Sequence, residues 1–208
     1  MINVSIAGIG GQGSVLAARI LAQAAEAKGW QVRSAETIGM AQRGGDVMSH
    51  VRMGNAGEEV FSPLPAKGTV DVLIALEPGE AARALPYLKE NGLLVVASTG
   101  VPPVMANFKR QTYDPQHLIE DMQSAGVKMV VVDDAELVHR LGEPKALNVM
   151  MLAYAIIAVN KREDCVDNEL RGAITLEDIE AAIPLCVKRK LVSVNEKAIK
   201  VVQQVARV

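Results

Sequence analysis

Residues 4–13 read Val-Ser-Ile-Ala-Gly-Ile-Gly-Gly-Gln-Gly, an apolar segment that runs into a glycine-rich turn and then an alanine-rich helix. The spacing of Gly8, Gly10 and Gly13 fits the pattern G-x-G-x-x-G. In that pattern the first glycine permits a tight turn, the second lets a ligand approach the backbone, and the third lets helix and strand pack closely. The pattern predicts a strand, turn and helix whose N–H groups from Gly10 onward, including those of Gly11 and Gln12, cradle an anion or cofactor. A turn that binds no ligand is the alternative. Residues 8–13 are called the glycine loop below.

Further apolar strands alternate with helices along the chain. Strands are expected at 3–7, 30–36, 47–53, 72–76, 93–97 and 128–132, and helices at 14–28, 79–90, 115–125, 134–141, 145–161, 175–183 and 191–207. The interval 36–47 is too short for a helical crossover, so the second and third strands are expected to pair antiparallel. The continuous apolar run at 128–132 favours a strand buried on both faces. The sequence therefore predicts an α/β fold: a three-layer, Rossmann-like, mostly parallel sheet with a helical C-terminal part, in one domain spanning 1–208.

Composition excludes several classes of function. The 208 residues carry a formal net charge of -2 and only 3% aromatic residues, so the basic stripe and stacking platform of a nucleic-acid binder are missing. The longest apolar run, residues 146–159, is too short to span a bilayer, and no membrane association is expected. Only two cysteines are present, Cys165 and Cys186. A cytoplasmic, reducing location is expected, and an iron–sulfur cluster that needs four thiolates cannot be held by this chain alone.

Two further features could bind an anion. Glu36 lies 23 residues after Gly13, close to where dinucleotide-binding folds place the acid that holds the ribose. The alternative is a solvated carboxylate, or one paired with Arg43. The segment 39–45, called the arginine loop below, places Arg43 before Gly44 and Gly45 and is expected beside the glycine loop as a contact for an anionic ligand or a partner. A flexible surface turn is the alternative there.

Catalytic groups and metal ligands are not expected in this chain. His50 is interpreted as a satisfied strand histidine, and His117 and His139 as surface residues on helices. None of them is accompanied by the clustered ligands of a metal site, and the serines lack a nucleophile elbow.

Several short motifs occur in one order. They are Gly-Ile-Gly-Gly-Gln-Gly at 8–13, Glu-x-x-Gly-Met-Ala-Gln-Arg-Gly-Gly at 36–45, Ser-His-Val-Arg at 49–52, Leu-Glu-Pro-x-Glu at 76–80, Ala-Leu-Asn at 146–148 and Asn-x-Lys-Ala at 195–198. Taken together, the chain resembles the gamma-type subunits of 2-oxoacid:ferredoxin oxidoreductases, and within that family the small subunit of the indolepyruvate type.

This resemblance implies an accessory subunit. The complex would decarboxylate a 2-oxoacid on thiamine diphosphate with Mg²⁺, pass electrons through iron–sulfur clusters to ferredoxin, and form an acyl-CoA. A larger partner subunit would carry those cofactors, and the chain alone would be inactive. The glycine and arginine loops would lie at the subunit interface near CoA or a cofactor phosphate. Two alternatives remain open: a stand-alone NAD(P)- or FAD-binding protein, and a scaffold that binds only protein.

Overall fold

A computed structural model describes residues 1–39, 45–102, 113–162 and 169–206. The described strands are β1 (Ile2–Ile9), β2 (Gln31–Ile38), β3 (Asp46–Gly54), β4 (Val70–Ala75), β5 (Leu88–Ala97) and β6 (Met129–Val132). The described α-helices are α1 (Ser14–Ala27), α2 (Pro78–Ala84), α3 (Pro115–Ser124), α4 (Asp134–Leu141), α5 (Leu147–Lys161), α6 (Leu176–Cys186) and α7 (Arg189–Val205). Short 3₁₀ turns at Leu85–Tyr87 and Pro144–Ala146 precede β5 and α5.

The six strands form one sheet in the order β2-β3-β1-β4-β5-β6. β1, β4, β5 and β6 pair in parallel, while β3 runs antiparallel to both β1 and β2. The antiparallel pairing of the second and third strands is thus confirmed. It follows from the short connection, since a parallel crossover needs a dozen or more residues. The α/β fold class is confirmed, and from residue 134 onward the described chain is helical.

Helices cover both faces of the sheet. One face packs against α1 and α5, with α6 and α7 outside them, and this side holds the larger core. The methionines Met150 and Met151 are fully buried there. On the other face, α2 and α3 cover β4 and β5 in a smaller core. The sheet is therefore the middle of three layers, as the alternating sequence pattern predicts.

Two expectations about individual elements are wrong. The helix expected at 79–90 ends at Ala84, because Pro86 has no N–H to donate to the next helical hydrogen bond and the chain continues as a 3₁₀ turn. Residues 88–90 instead begin β5, and Gly92 lies inside that strand, where a Cβ would come 2.9 Å from the carbonyl oxygen of Val70. The strand at 128–132 is not buried on both faces. β6 is an edge strand, and Val131 is 36% exposed.

A capping box holds the N-terminus of α6. Thr175 accepts a hydrogen bond from the backbone N–H of Asp178, while the Asp178 carboxylate accepts from the N–H of Thr175. This reciprocal capping box starts α6 where the sequence predicted. In the described parts of the chain, no helix combines the length and apolar character needed to cross a membrane.

Candidate functional site

The glycine loop lies where the connections of the sheet reverse direction. β1 and β4 are parallel neighbours, and the helices that follow them, α1 and α2, pack on opposite faces of the sheet. Such a reversal leaves a crevice at the carboxyl ends of the two strands, where open α/β sheets bind ligands. The glycine loop after β1 and the turn at Leu76–Glu77 after β4 line this crevice.

Positive φ angles within the glycine loop belong to Gly11, at 105°, and to Gly13, at 85°. Both conformations are disfavoured for residues with a Cβ, so glycine is needed at these two positions. Gly8 has a different role, since a Cβ there would lie 2.9 Å from Oε1 of Gln12. Gly10 donates its N–H to the carbonyl oxygen of Gly45 at 2.9 Å. The predicted strand, turn and helix are present, with the positive φ angles at Gly11 and Gly13.

Gln12 ties the two sides of the crevice together. Its Oε1 accepts a hydrogen bond from the N–H of Ile9 at 2.7 Å, and its Nε2 donates to the carbonyl oxygen of Leu76 at 3.1 Å. Both ends of the amide therefore hold the β1 and β4 turns in a fixed relation. Whether Gln12 also contacts a ligand stays a prediction.

The first turn of α1 lacks the features that usually satisfy its backbone N–H groups. Its N-cap is Gly13, which has no side chain to cap the helix, and its first turn contains no acidic residue. The N–H groups of Gly11, Gly13, Ser14 and Val15 have no acceptor among the residues that the structure describes. Unsatisfied N–H groups and the positive end of the helix dipole favour an anion at this point.

Asn148, near the start of α5, lies directly behind Gly13. Its Nδ2 donates to the carbonyl oxygen of Gly13 at 2.9 Å, and a Cβ on Gly13 would come within 2.7 Å of the same atom. Asn148 is 1% exposed, yet its Oδ1 has no donor among the residues that the structure describes. A buried acceptor without a donor is costly and is normally satisfied by water or a ligand. Asn148 therefore links the start of α5 to the glycine loop.

The arginine loop reaches the glycine loop at Gly45, whose carbonyl oxygen accepts the N–H of Gly10. The expected adjacency of the two loops is thus seen at this contact. Residues 40–44, which include Arg43 and Gly44, lie outside the described residues. Their expected contact with an anion or a partner stays a prediction.

Glu36 lies one strand farther from the glycine loop than the ribose-binding acid of a dinucleotide-binding fold. It is exposed on β2, opposite Ser49 of β3, and lines a groove against α1. β3 separates β2 from β1, so with about 4.8 Å between neighbouring strands β2 runs about 9.6 Å from the strand that leads into the loop. In a dinucleotide-binding fold the corresponding strands are direct neighbours. This strand order does not support the ribose-binding role.

The site also contains Glu77, which sequence reasoning did not select. Glu77 is 2% exposed and caps α2, accepting the N–H of Glu80 at 2.9 Å on Oε2. Its Oε1 accepts the hydroxyl of Tyr113 and the N–H of Val101. Burial and the neighbouring Glu77 carboxylate raise the pKa of Tyr113 well above its ordinary value. The sequence feature that could have identified Glu77 is its position directly before Pro78, since an acidic residue before a helix-starting proline is a common N-cap arrangement.

The histidines behave as expected. His50 is buried, its Nδ1 lies 2.8 Å from the Ser5 hydroxyl, and desolvation lowers its pKa. His117 and His139 are exposed on α3 and α4. Among the described residues, no group of three His, Cys, Asp or Glu side chains is placed to hold a metal ion.

Residues 3–207 match the family described as pyruvate ferredoxin/flavodoxin oxidoreductase. The chain belongs to the pyruvate ferredoxin/flavodoxin oxidoreductase family. The family resemblance noted in the sequence is thereby confirmed, and the chain is an oxidoreductase subunit.

Members of this family align with the chain over nearly its whole length. Indolepyruvate oxidoreductase subunit IorB of Archaeoglobus fulgidus is 32% identical over 200 residues, covering 96% of this chain and 92% of the relative. The pyruvate/ketoisovalerate oxidoreductases common subunit gamma of Pyrococcus furiosus is 26% identical over 192 residues, covering 88% and 94%. A keto/oxoacid ferredoxin oxidoreductase gamma subunit from Geobacter sulfurreducens has a similar fold, with a TM-score of 0.65 at 22% identity, covering 98% and 97%. The relatives are small subunits of multi-subunit enzymes, so larger partner subunits are implied for this chain.

Proposed function

We propose that this chain is the small subunit of an indolepyruvate-type 2-oxoacid:ferredoxin oxidoreductase. The observation that carries the proposal is the higher identity to an indolepyruvate subunit, 32% over 96% of the chain, than to a pyruvate/ketoisovalerate subunit, 26% over 88%. The complex would oxidise a 2-oxoacid to an acyl-CoA and CO₂, with ferredoxin as electron acceptor. We place this complex in the cytoplasm, in keeping with the sparse cysteines.

The redox and decarboxylation cofactors are assigned to the larger subunit. Thiamine diphosphate with Mg²⁺ would supply the decarboxylation chemistry there, and iron–sulfur clusters would supply the transfer of single electrons. This chain has two cysteines, so its residues do not fit a four-thiolate cluster. Its own contribution is therefore binding and positioning.

The glycine loop is proposed to bind an anionic group at the subunit interface, namely a phosphate of CoA or of a cofactor. Three features support this: the N–H groups at the start of α1 and the buried Oδ1 of Asn148, both without a partner among the described residues, and the lack of an acidic residue in the first turn of α1. Arg43, Gly44 and Gly45 would complete the same rim, since Gly45 touches the glycine loop. A phosphate held there would be fixed by rigid backbone dipoles, which lose little entropy on binding.

A stand-alone nucleotide-binding protein is less well supported. β3 lies between β1 and β2, so Glu36 does not stand next to the glycine loop. A scaffold that binds only protein would leave the N–H groups of α1 and the Asn148 Oδ1 without a role.

Reconstitution tests the proposal. The chain is purified alone and together with a co-expressed larger subunit, and indolepyruvate-dependent reduction of ferredoxin is measured with CoA present. We expect activity and visible iron–sulfur absorbance only in the complex, with pyruvate as the matched control substrate giving a lower rate. A chain that alone carries stoichiometric flavin, nicotinamide or cluster would contradict the assignment of the cofactors to the partner.

A further inference from the structure

Strand β2 lies at one edge of the described sheet. It is eight residues long, contains no proline, and among the described strands pairs only with β3. Most of its side chains are exposed, and Ile38 is 67% exposed. An unpaired edge of this length presents a row of N–H and C=O groups that can accept another strand.

The outer flank of α1 runs alongside this edge. α1 packs over β2 and β3, and between its flank and β2 lies a groove of about 340 Å³. The groove is lined by Val15, Arg19, Ala22, Gln23, Glu26, Ser34 and Glu36. Val15, Arg19, Ala22 and Glu26 follow one another at spacings of four, three and four residues, so they form one stripe of the helix.

We propose that a second copy of this chain binds here, with β2 pairing antiparallel to β2 of the second copy about a twofold axis near Ser34. The two sheets would then become one continuous sheet of twelve described strands. With about 4.8 Å between strands, the two α1 helices would lie about 10–14 Å apart on the same face. Long side chains span that separation, and the small Ala22 at the middle of the stripe leaves room for them.

Charge complementarity selects a second copy as the occupant. Arg19 and Glu26 lie two helical turns apart, on either side of Ala22. An antiparallel pair of α1 helices therefore places Arg19 opposite Glu26 of the second copy, and this contact occurs twice by symmetry. Within the described residues neither side chain forms an ion pair.

The same twofold axis also places apolar side chains of the two β2 strands opposite each other. With Ser34 opposite Ser34 of the second copy, Ile38 lies opposite Trp30, which precedes β2 and is half-buried in the single chain. Aromatic and β-branched side chains directly opposite each other stabilise antiparallel pairs. The exposed Ile38 would thereby be covered.

Sedimentation of the 208-residue chain tests the proposal. We expect a dimer at micromolar concentration. Arg19→Glu or Glu26→Arg should each raise the dissociation constant about tenfold, because attraction becomes repulsion at two symmetric contacts. The double variant Arg19→Glu/Glu26→Arg should restore wild-type association. Lys197→Glu, on the exposed face of α7, is the matched control and should leave the dissociation constant unchanged.

A cross-link tests the strand pairing separately. Directly opposite residues of antiparallel strands have Cα atoms about 4.5–5.5 Å apart, within the range of a disulfide. Ser34→Cys should therefore form an intermolecular disulfide on mild oxidation, while Ser193→Cys on α7 should not. A monomeric wild-type chain at about 100 μM, a double variant as weak as the single ones, or a dimer that Ser34→Cys fails to cross-link would overturn the proposal.

Discussion

Replacing Gly13 by alanine should destabilise the chain through two separate effects. The φ angle of 85° places an alanine in the left-handed region, at a cost of about 1–2 kcal/mol. The added Cβ would also lie 2.7 Å from Nδ2 of Asn148, and crowding of a packed interior adds about 1–3 kcal/mol. Gly13→Ala should therefore cost about 2–5 kcal/mol of unfolding free energy, measured by urea denaturation.

Gly29 provides the matched control at the other end of α1. Its φ angle is 77°, and a Cβ there would meet nothing within 4 Å, so Gly29→Ala should carry the backbone cost alone, about 1–2 kcal/mol. Shortening Asn148 should remove the steric part of the cost at Gly13. Gly13→Ala combined with Asn148→Ala should show a coupling of about 1–3 kcal/mol. Equal losses for Gly13→Ala and Gly29→Ala, with additive effects in the double variant, would refute the contact between Asn148 and the glycine loop.

Three further predictions concern Gln12, His50 and Arg43. Gln12→Ala removes two hydrogen bonds and should lower the unfolding free energy by about 1–3 kcal/mol in urea denaturation. The exposed control Gln203→Ala should change it by less than about 0.5 kcal/mol. Equal effects of the two variants would show that the hydrogen bonds of Gln12 do not stabilise the fold. Burial lowers the pKa of His50, so just below pH 6.5 the imidazole is protonated in the unfolded chain but not in the folded one, and the unfolding free energy should fall on acidification by at most about 1.4 kcal/mol per pH unit. His50→Gln should flatten this slope between pH 7 and 5. An unchanged slope would show that His50 contributes nothing to it. Arg43→Ala should leave stability within about 0.5 kcal/mol but lower assembly or 2-oxoacid oxidation, with partial recovery in Arg43→Lys; normal assembly and turnover of both variants would make Arg43 a solvated loop residue.

The sequence predicts most of the elements because their apolar periodicity is strong. The glycine-rich turn, the antiparallel β3 and the capping box at Thr175 follow from local chemistry and are seen in the structure. The helix expected at 79–90 fails because Pro86 ends it early and Gly92 serves a strand rather than a helix end. Strand order is not local information, so the separation of Glu36 from the glycine loop could not be read from their 23-residue spacing.

In the candidate site too, the turn residues could be predicted from the local sequence, whereas their tertiary contacts could not. Glycines at Gly11 and Gly13 could be foreseen as turn residues, whereas the partner that makes Gly13 sterically necessary, Asn148, is 135 residues away in the chain. Glu77 was visible only as part of a motif, and its burial under Tyr113 depends on the packing of a distant segment.

The central claim is that this chain works as the small subunit of a 2-oxoacid:ferredoxin oxidoreductase whose cofactors lie on a larger subunit. The most direct measurement is ferredoxin reduction by the separately purified larger subunit, titrated with this chain in the presence of indolepyruvate and CoA. We expect activity to rise with added chain and to saturate at a fixed subunit ratio, with neither subunit active alone. Full activity of the larger subunit without this chain, or no response to its addition, would contradict the claim.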